Sequence, residues 1–400
     1  MTSATGEKLI EQSLPKENST QSDLPPSSFR LHPSIWLGAY SDFGLSLPAA
    51  NPTPSQFYAP RGVFLDDDYL VVADSGNHRV LIWRGVPASD QQPADVVLGQ
   101  PDFTTEGAHA NGASVEKGFH LPTGVKILDG KLFVADAWHH RILVWNRVPE
   151  QNFQKPDYVL GQANLSETTE NRGAGKPDNK SFYWCYGFNR VGDWFYVADT
   201  GNRRVLGWRG LPEPEQPAEM VLGQDSFDTA LENRGGAVNA RSFRWAHDIA
   251  GTADLLLVAD AGNHRVLGWT GLPATDCDAN IVIGQPDFTS SQEVPYYAQG
   301  AQKLRFPYSL AIDGDCLAVA DTANNRVLLW RGLPEKGDVF RPATAVVGQT
   351  DFTGNGENHW KAVGRETICW VYGVALHNNK LAVADSGNNR VMIWQVEKAN

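Results

Sequence analysis

The sequence predicts an all-β fold, a six-bladed β-propeller, and three observations carry that expectation. A Val-Ala-Asp-x-x-Asn-x-Arg-Val-Leu-x-Trp motif recurs six times, beginning at Val72, Val134, Val197, Val258, Val319 and Val383. Its aspartates, Asp74, Asp136, Asp199, Asp260, Asp321 and Asp385, stand 61 to 64 residues apart by their numbering. Self-similarity at a fixed period marks an array in which each unit packs on its neighbours, so no single central core has to grow. The strand signals inside each unit are apolar on both faces. Finally, one unit lacks its last strand, and the missing piece stands at the other end of the chain.

Taken in order, residues 1–30 are rich in Ser, Glu, Gln, Lys and Pro and are expected to form a disordered tail. They hold no apolar run of the kind a secretory signal needs. The remainder, 31–397, is expected to be one domain. In the first unit Gly62–Leu65, Tyr69–Ala73, Arg79–Trp83 and Val96–Leu98 read as four strands. Val80 and Ile82 point one way, Leu81 and Trp83 the other, as in sheets stacked face to face rather than sheets with a wet side. Between the second and third strands, Ser75-Gly76-Asn77-His78 offers Gly and Asn for the positive φ of a tight hairpin. Four antiparallel strands per unit and six units make a propeller.

Five units end their fourth strand in Gly-Gln, at Gly99, Gly161, Gly223, Gly284 and Gly348. The sixth stops soon after Trp394. Ile35-Trp36-Leu37-Gly38 keeps the same register ahead of the first unit, and Asp42-Phe43 echoes Asp102-Phe103, Asp287-Phe288 and Asp351-Phe352. The N-terminal segment is therefore expected to complete the last blade and leave no open sheet edge.

A net charge of −12 argues against general binding to nucleic acid or anionic membranes. No run approaches the length of a membrane-spanning helix. Cys185, Cys277, Cys316 and Cys369 share no C-x-x-C spacing and suggest neither a zinc nor a disulfide framework. Free thiols fit a reducing compartment. A cytoplasmic monomer is expected.

These repeated residues, over about 33–395, resemble the NHL repeat family. The linking segments Gly284–Thr289 and Glu232–Ala237 are similar to those of long bacterial NHL units. The resemblance implies a six-bladed ring and leaves activity open, since related propellers include scaffolds, RNA binders and metal-dependent lyases and lactonases.

Six copies of one charged pair are read as structure. Asp74, Asp136, Asp199, Asp260, Asp321 and Asp385, with Arg79, Arg141, Arg204, Arg265, Arg326 and Arg390, would pin hairpins or tie blades together. The repeated Trp is read as core. A site must break the symmetry, and unit two does so with Trp138-His139, followed by His140, in place of the usual Gly-Asn; repeat drift is the plain alternative.

The long links between blades, about twenty residues each, exceed usual loop lengths and are candidates for binding. Each ends at an equivalent position: Arg61, Thr123, Tyr186, His247, Tyr308 and Tyr372. Two residues earlier stand Ala59, Leu121, Trp184, Trp245, Phe306 and Trp370. These are expected to ring the channel mouth with aromatics on blades three to six, and to leave a cup open toward Trp138 and His139. Arg244 and Arg305, with Lys180, Arg241, Lys303 and Arg365, add positive charge that Glu232, Glu293, Glu357 and Glu366 dilute. Aromatics interleaved with Arg can hold an anionic or planar ligand; packing beneath the loops is the bland reading.

The leading expectation is a non-catalytic binding module without a cofactor, engaging a protein or a small anionic or aromatic ligand. The alternative is a metal-assisted lyase or hydrolase acting through His139, His140 and His247. Related lyases hold zinc with histidines from separate blades, which would make His78, His140 and His264 candidate ligands for zinc or calcium. Solvated turn histidines are the simpler reading. RNA binding is disfavoured by the acidic balance.

Overall fold

In the computed structural model the described residues are 28–40, 47, 51–293 and 299–399. They form six four-stranded antiparallel sheets arranged as blades. The first strand, β1 (Phe29–Gly38), belongs to the last blade. Blade one is β2 (Gly62–Leu65), β3 (Tyr69–Asp74), β4 (Arg79–Arg84) and β5 (Val96–Leu98), running outward in that order. These bounds agree with the strands read from the sequence to within a residue.

Alternation within each strand serves two neighbours. Val71, Ala73, Val80 and Ile82 of blade one pack against Val134, Leu143 and Trp145 of blade two. Leu70, Val72, Leu81 and Trp83 pack the other way, against Ala382, Val391 and Ile393 of blade six. Every blade is thus core on both sides. The repeated Trp lies in these layers, and Trp83 satisfies its Nε1–H on the Gln92 carbonyl at 2.9 Å.

Closure follows the expected route. β1 pairs with Arg390–Lys398, setting Trp36 opposite Met392 and Gly38 opposite Arg390. The Arg390 guanidinium lies 4.1 Å from the centre of the Trp36 ring. β1 begins at Phe29, inside the stretch assigned to the tail, because Phe29 is buried with Trp36 and Val396 between blades five and six. The rest of that tail, residues 1–27, and the Asp42-Phe43 echo lie outside the described residues. No helix among the described residues is long and apolar enough to cross a membrane.

One local expectation needs correction. The hairpin's left-handed residue is not Gly76 or Asn77 but the position after them. It is His78, His140, Arg203, His264, Asn325 or Asn389, with φ between 52° and 56°. Gly76 is small for a packing reason: a Cβ there would come within 2.6 Å of the Tyr58 ring and carbonyl. Asn77 is present for its amide, which donates to Asp74 Oδ2 at 2.8 Å.

Candidate functional site

The repeated ion pairs build the frame. In all six blades the arginine Nε lies 2.6 to 3.0 Å from an aspartate Oδ2, with both side chains fully buried. Arg79 then donates to the carbonyls of Phe103, Thr53 and Gln56, reaching the long loops on either side. The other carboxylate oxygen, Oδ1, accepts the backbone N–H sixteen residues earlier, at Tyr58, His120, Tyr183, Arg244 and Arg305 for the first five blades, and at Cys369 for the sixth. One Asp–Arg pair therefore closes a hairpin and anchors the end of a long loop, which delivers the following residues to the hub.

Those residues meet at the channel mouth. Arg61, Thr123, Tyr186, His247, Tyr308 and Tyr372, one from each blade, line a single central cavity. The His247 ring stacks on Tyr308 at 4.3 Å and lies 4.6 Å from Tyr186. Tyr372 is 5.0 Å from Tyr308, and the Arg61 guanidinium is 5.0 Å from the Tyr372 ring centre. Arg61 Nη1 donates to the Tyr186 hydroxyl at 3.2 Å. Burial holds the His247 imidazole down to about 4, so it is neutral and stacks as an uncharged ring.

Two residues back, the chain turns through left-handed backbone at Ala59, Leu121, Trp184, Phe306 and Trp370, with φ of 46° to 52°. Bulky residues avoid that region, so something must hold them there. The holder is the residue before the repeated Arg in the preceding blade. His78 Nδ1 accepts the Leu121 N–H at 3.1 Å, His140 that of Trp184 at 3.1 Å, and His264 that of Phe306 at 3.3 Å. Asn325 Oδ1 accepts from Trp370 at 2.8 Å, and Asn389 Oδ1 from Ala59 at 2.9 Å. His and Asn alternate here because both put an acceptor at that reach.

The junction of blades three and four lacks this latch. Arg203 occupies the acceptor position, and a guanidinium offers only donors. Trp245 is not left-handed. Asp260 Oδ1 takes the N–H groups of both Arg244 and Trp245, at 2.9 and 3.3 Å. The turn contact moves by one residue as well. Ala261 N–H bonds the Trp245 carbonyl, whereas Gly201 N–H in blade three bonds Tyr183. The displaced loop leaves a cleft of about 240 Å3 lined by Tyr183, Trp184, Tyr186, Arg203, Trp245 and His247, floored by Thr200 and Gly201.

Unit two breaks the symmetry differently from expectation. His139 does not face an open cup; it is buried and replaces the motif Asn, with Nδ1 2.6 Å from Asp136 Oδ2. In three other units the motif Asn pairs with an Asn of the long loop: Asn202 with Asn171, Asn263 with Asn233 and Asn388 with Asn358. Here His109 takes the loop position and stacks on His139 at 4.7 Å and 10°. His120 adds a third ring, 5.5 Å from His139 and 5.3 Å from His78. Burial lowers His78 to about 4 and also lowers His109 and His120. Sequence reasoning missed His109 and His120 because it aligned the motifs and not the loops. Trp138 remains 39% exposed, 5.1 Å from the Trp184 ring.

The other nominated residues divide. Phe306 stacks on Trp245 at 6.1 Å. Trp370 is 40% exposed and donates its Nε1–H to Glu357 at 2.9 Å. Arg244 pairs with Glu232 at 3.2 Å and Arg305 with Glu293 at 3.0 Å, so both cations are already engaged. Each of His78, His140 and His264 spends its Nδ1 on a different blade junction. Among the described residues no group of three or more His, Cys, Asp or Glu side chains is arranged to hold a metal ion.

With its six motif-bearing blades and closing β1 strand, the chain is a six-bladed β-propeller whose repeated motif resembles that of NHL proteins. It is similar to NHL repeat-containing protein 2 of Homo sapiens, 26% identical over 195 residues, or 44% of this chain. The match spans only 24% of that relative's length. No family model matches the chain. Among solved structures it is similar to an auxiliary nutrient binding protein from Bacteroides thetaiotaomicron, at a TM-score of 0.53 and 10% identity. That match covers 92% of this chain and 77% of the other. A more remote likeness is the WD40 β propeller domain of Doa1, at a TM-score of 0.46 and 10% identity over 91% of this chain and 96% of that one. At these identities the structures speak to fold alone.

Proposed function

We propose that this propeller is a non-catalytic binding module whose loop-rich face engages a partner protein or a small anionic or aromatic ligand. The observation that carries the reading is the aromatic surface at blades two to four, where Tyr183, Trp184 and Trp245 line the unlatched cleft and the exposed Trp138 flanks Trp184. Rings fixed by backbone latches and buried ion pairs are preorganised, and preorganised aromatics bind at low entropic cost. Long loops on a rigid ring are a common seat of recognition.

The metal-assisted alternative finds no assembled ligand set: His139, His140 and His247 bond or stack on Asp136, the Trp184 amide and Tyr308 respectively, and among the described residues no three or more His, Cys, Asp or Glu side chains are arranged to hold a metal. Melting the intact chain against a panel of aromatic and anionic metabolites, peptides and divalent metals tests both readings, because a ligand of the folded form raises the melting temperature. Stabilisation by aromatic or anionic members that disappears in Trp184→Ala/Trp245→Ala is expected. Stabilisation that survives the double substitution, or that only zinc or calcium provides, overturns the proposal.

A further inference from the structure

We propose that the cleft between blades three and four is a site for a planar aromatic carboxylate, its ring against Trp184 and Trp245 and its carboxylate on Arg203. This rests on the reading of the face as a binding surface and goes on to name the ligand chemistry. The cleft's volume of about 240 Å3 exceeds the roughly 150 Å3 that suffices to admit a benzene ring. Five of its lining side chains are rings, contributed by two adjacent blades. One face of Trp245 is already covered by Phe306 and Trp184 already touches Trp138, so the walls are supported from behind.

Charge narrows the class. Arg203 lines the cleft, and no carboxylate is among the described residues that line it. Three other arginines of the long loops are paired with carboxylates: Arg172 with Glu215 at 2.7 Å, Arg244 with Glu232 and Arg305 with Glu293. Arg203 instead donates Nη1 to the carbonyls of Gly201 and Ala230, at 3.0 and 3.2 Å, which fixes the guanidinium in place. No hydrogen bond among the described residues engages its Nη2, and no carboxylate pairs with it. A fixed cation with a spare N–H matches a carboxylate oxygen. A neutral ring would leave that donor unpaired, and an aliphatic anion would leave the aromatic walls uncovered.

Calorimetric titration of the full chain with indole-3-carboxylate and with indole-3-carboxamide separates these cases. One-to-one binding of the carboxylate is expected, at least tenfold tighter than the carboxamide. Arg203→Gln should erase the difference while leaving the carboxamide within about twofold. Arg203→Lys, which keeps the charge but loses the planar guanidinium, should fall between. Trp245→Ala should weaken both ligands, and a melt of each variant confirms that it is folded. Equal affinities in the parent, or equal losses in Arg203→Gln, overturn the carboxylate assignment while leaving the aromatic cleft and the binding reading intact. Binding of neither compound at millimolar concentration overturns the site, and the metabolite panel then decides the binding reading separately.

Discussion

Five blade junctions and the sixth differ by one side chain, and the comparison shows how a repeat makes room for a cleft. At five junctions an imidazole or carboxamide accepts a backbone N–H from the next blade and stabilises a left-handed residue there. At the junction of blades three and four, Arg203 cannot accept, the loop relaxes by one residue, and a cleft opens. The Asp–Arg frame beneath is the same on both sides. A scaffold can thus be kept while its surface varies.

The largest expected effect tests the ring that both kinds of junction share. A chain beginning at Tyr58 loses β1, exposes the edge of Arg390–Lys398 and should show no cooperative thermal unfolding by circular dichroism. A melt as sharp as that of the full chain would break the closure on which every junction depends. Next, Asp260→Ala and Asp74→Ala should each cost about 3–5 kcal/mol in denaturant titrations, because each strands a buried guanidinium. Similar losses are expected on the latched and unlatched sides; a much cheaper Asp260→Ala would mean that the frame itself differs at the open junction.

Removing a latch should matter less, and only where a latch exists. Asn325→Ala and Asn389→Ala should each cost about 1–2 kcal/mol by leaving a strained residue's N–H unpaired. Arg203→Ala should change stability by less than about 0.5 kcal/mol. Equal costs at the two kinds of position would remove the distinction. The last contrast is one of pH. Burial holds His78, His140 and His264 down to about 4 in the folded chain. Nearby Glu170 and Glu293 act against that shift at His140 and His264 without reversing it. The unfolded chain takes up these protons first, near its ordinary value of about 6.5. Stability should therefore be complete at pH 7 and decline as pH falls from about 6.5 toward 4. Denaturation midpoints across that window should fall less steeply in the triple variant His78→Asn/His140→Asn/His264→Asn, whose latches do not titrate; parallel slopes would return these histidines to ordinary surface behaviour.

How much of this could be read in advance depends on whether a residue acts within the period or across it. The period exposed the blades, the closing strand and the channel-mouth residues from Arg61 to Tyr372, because equal spacing places equivalent residues on one circle. It misled at the hairpin, where Gly76 is small to admit Tyr58 and the positive φ belongs to His78. It also misled at His139, which looked like a departure facing an open cup. His139 is the buried half of a stacked His109–His139 pair standing where three other units pair two asparagines. That signal was present in the loops, where His109 occupies the place of Asn171, Asn233 and Asn358, but uneven loop lengths hid it from a reading aligned on the motif.

The sequence alone determined the number of blades, their two-sided apolar strands, the six Asp–Arg pairs and the seam near Trp36, since each repeats locally or follows from a missing piece. Only the tertiary structure decided which side chain reaches the next blade. His78, Asn325 and Arg203 occupy one motif position, yet whether that position binds a neighbour depends on an acceptor meeting an N–H more than forty residues away. Distance along the chain carries no information about that meeting. Packing one sheet on another supplies it.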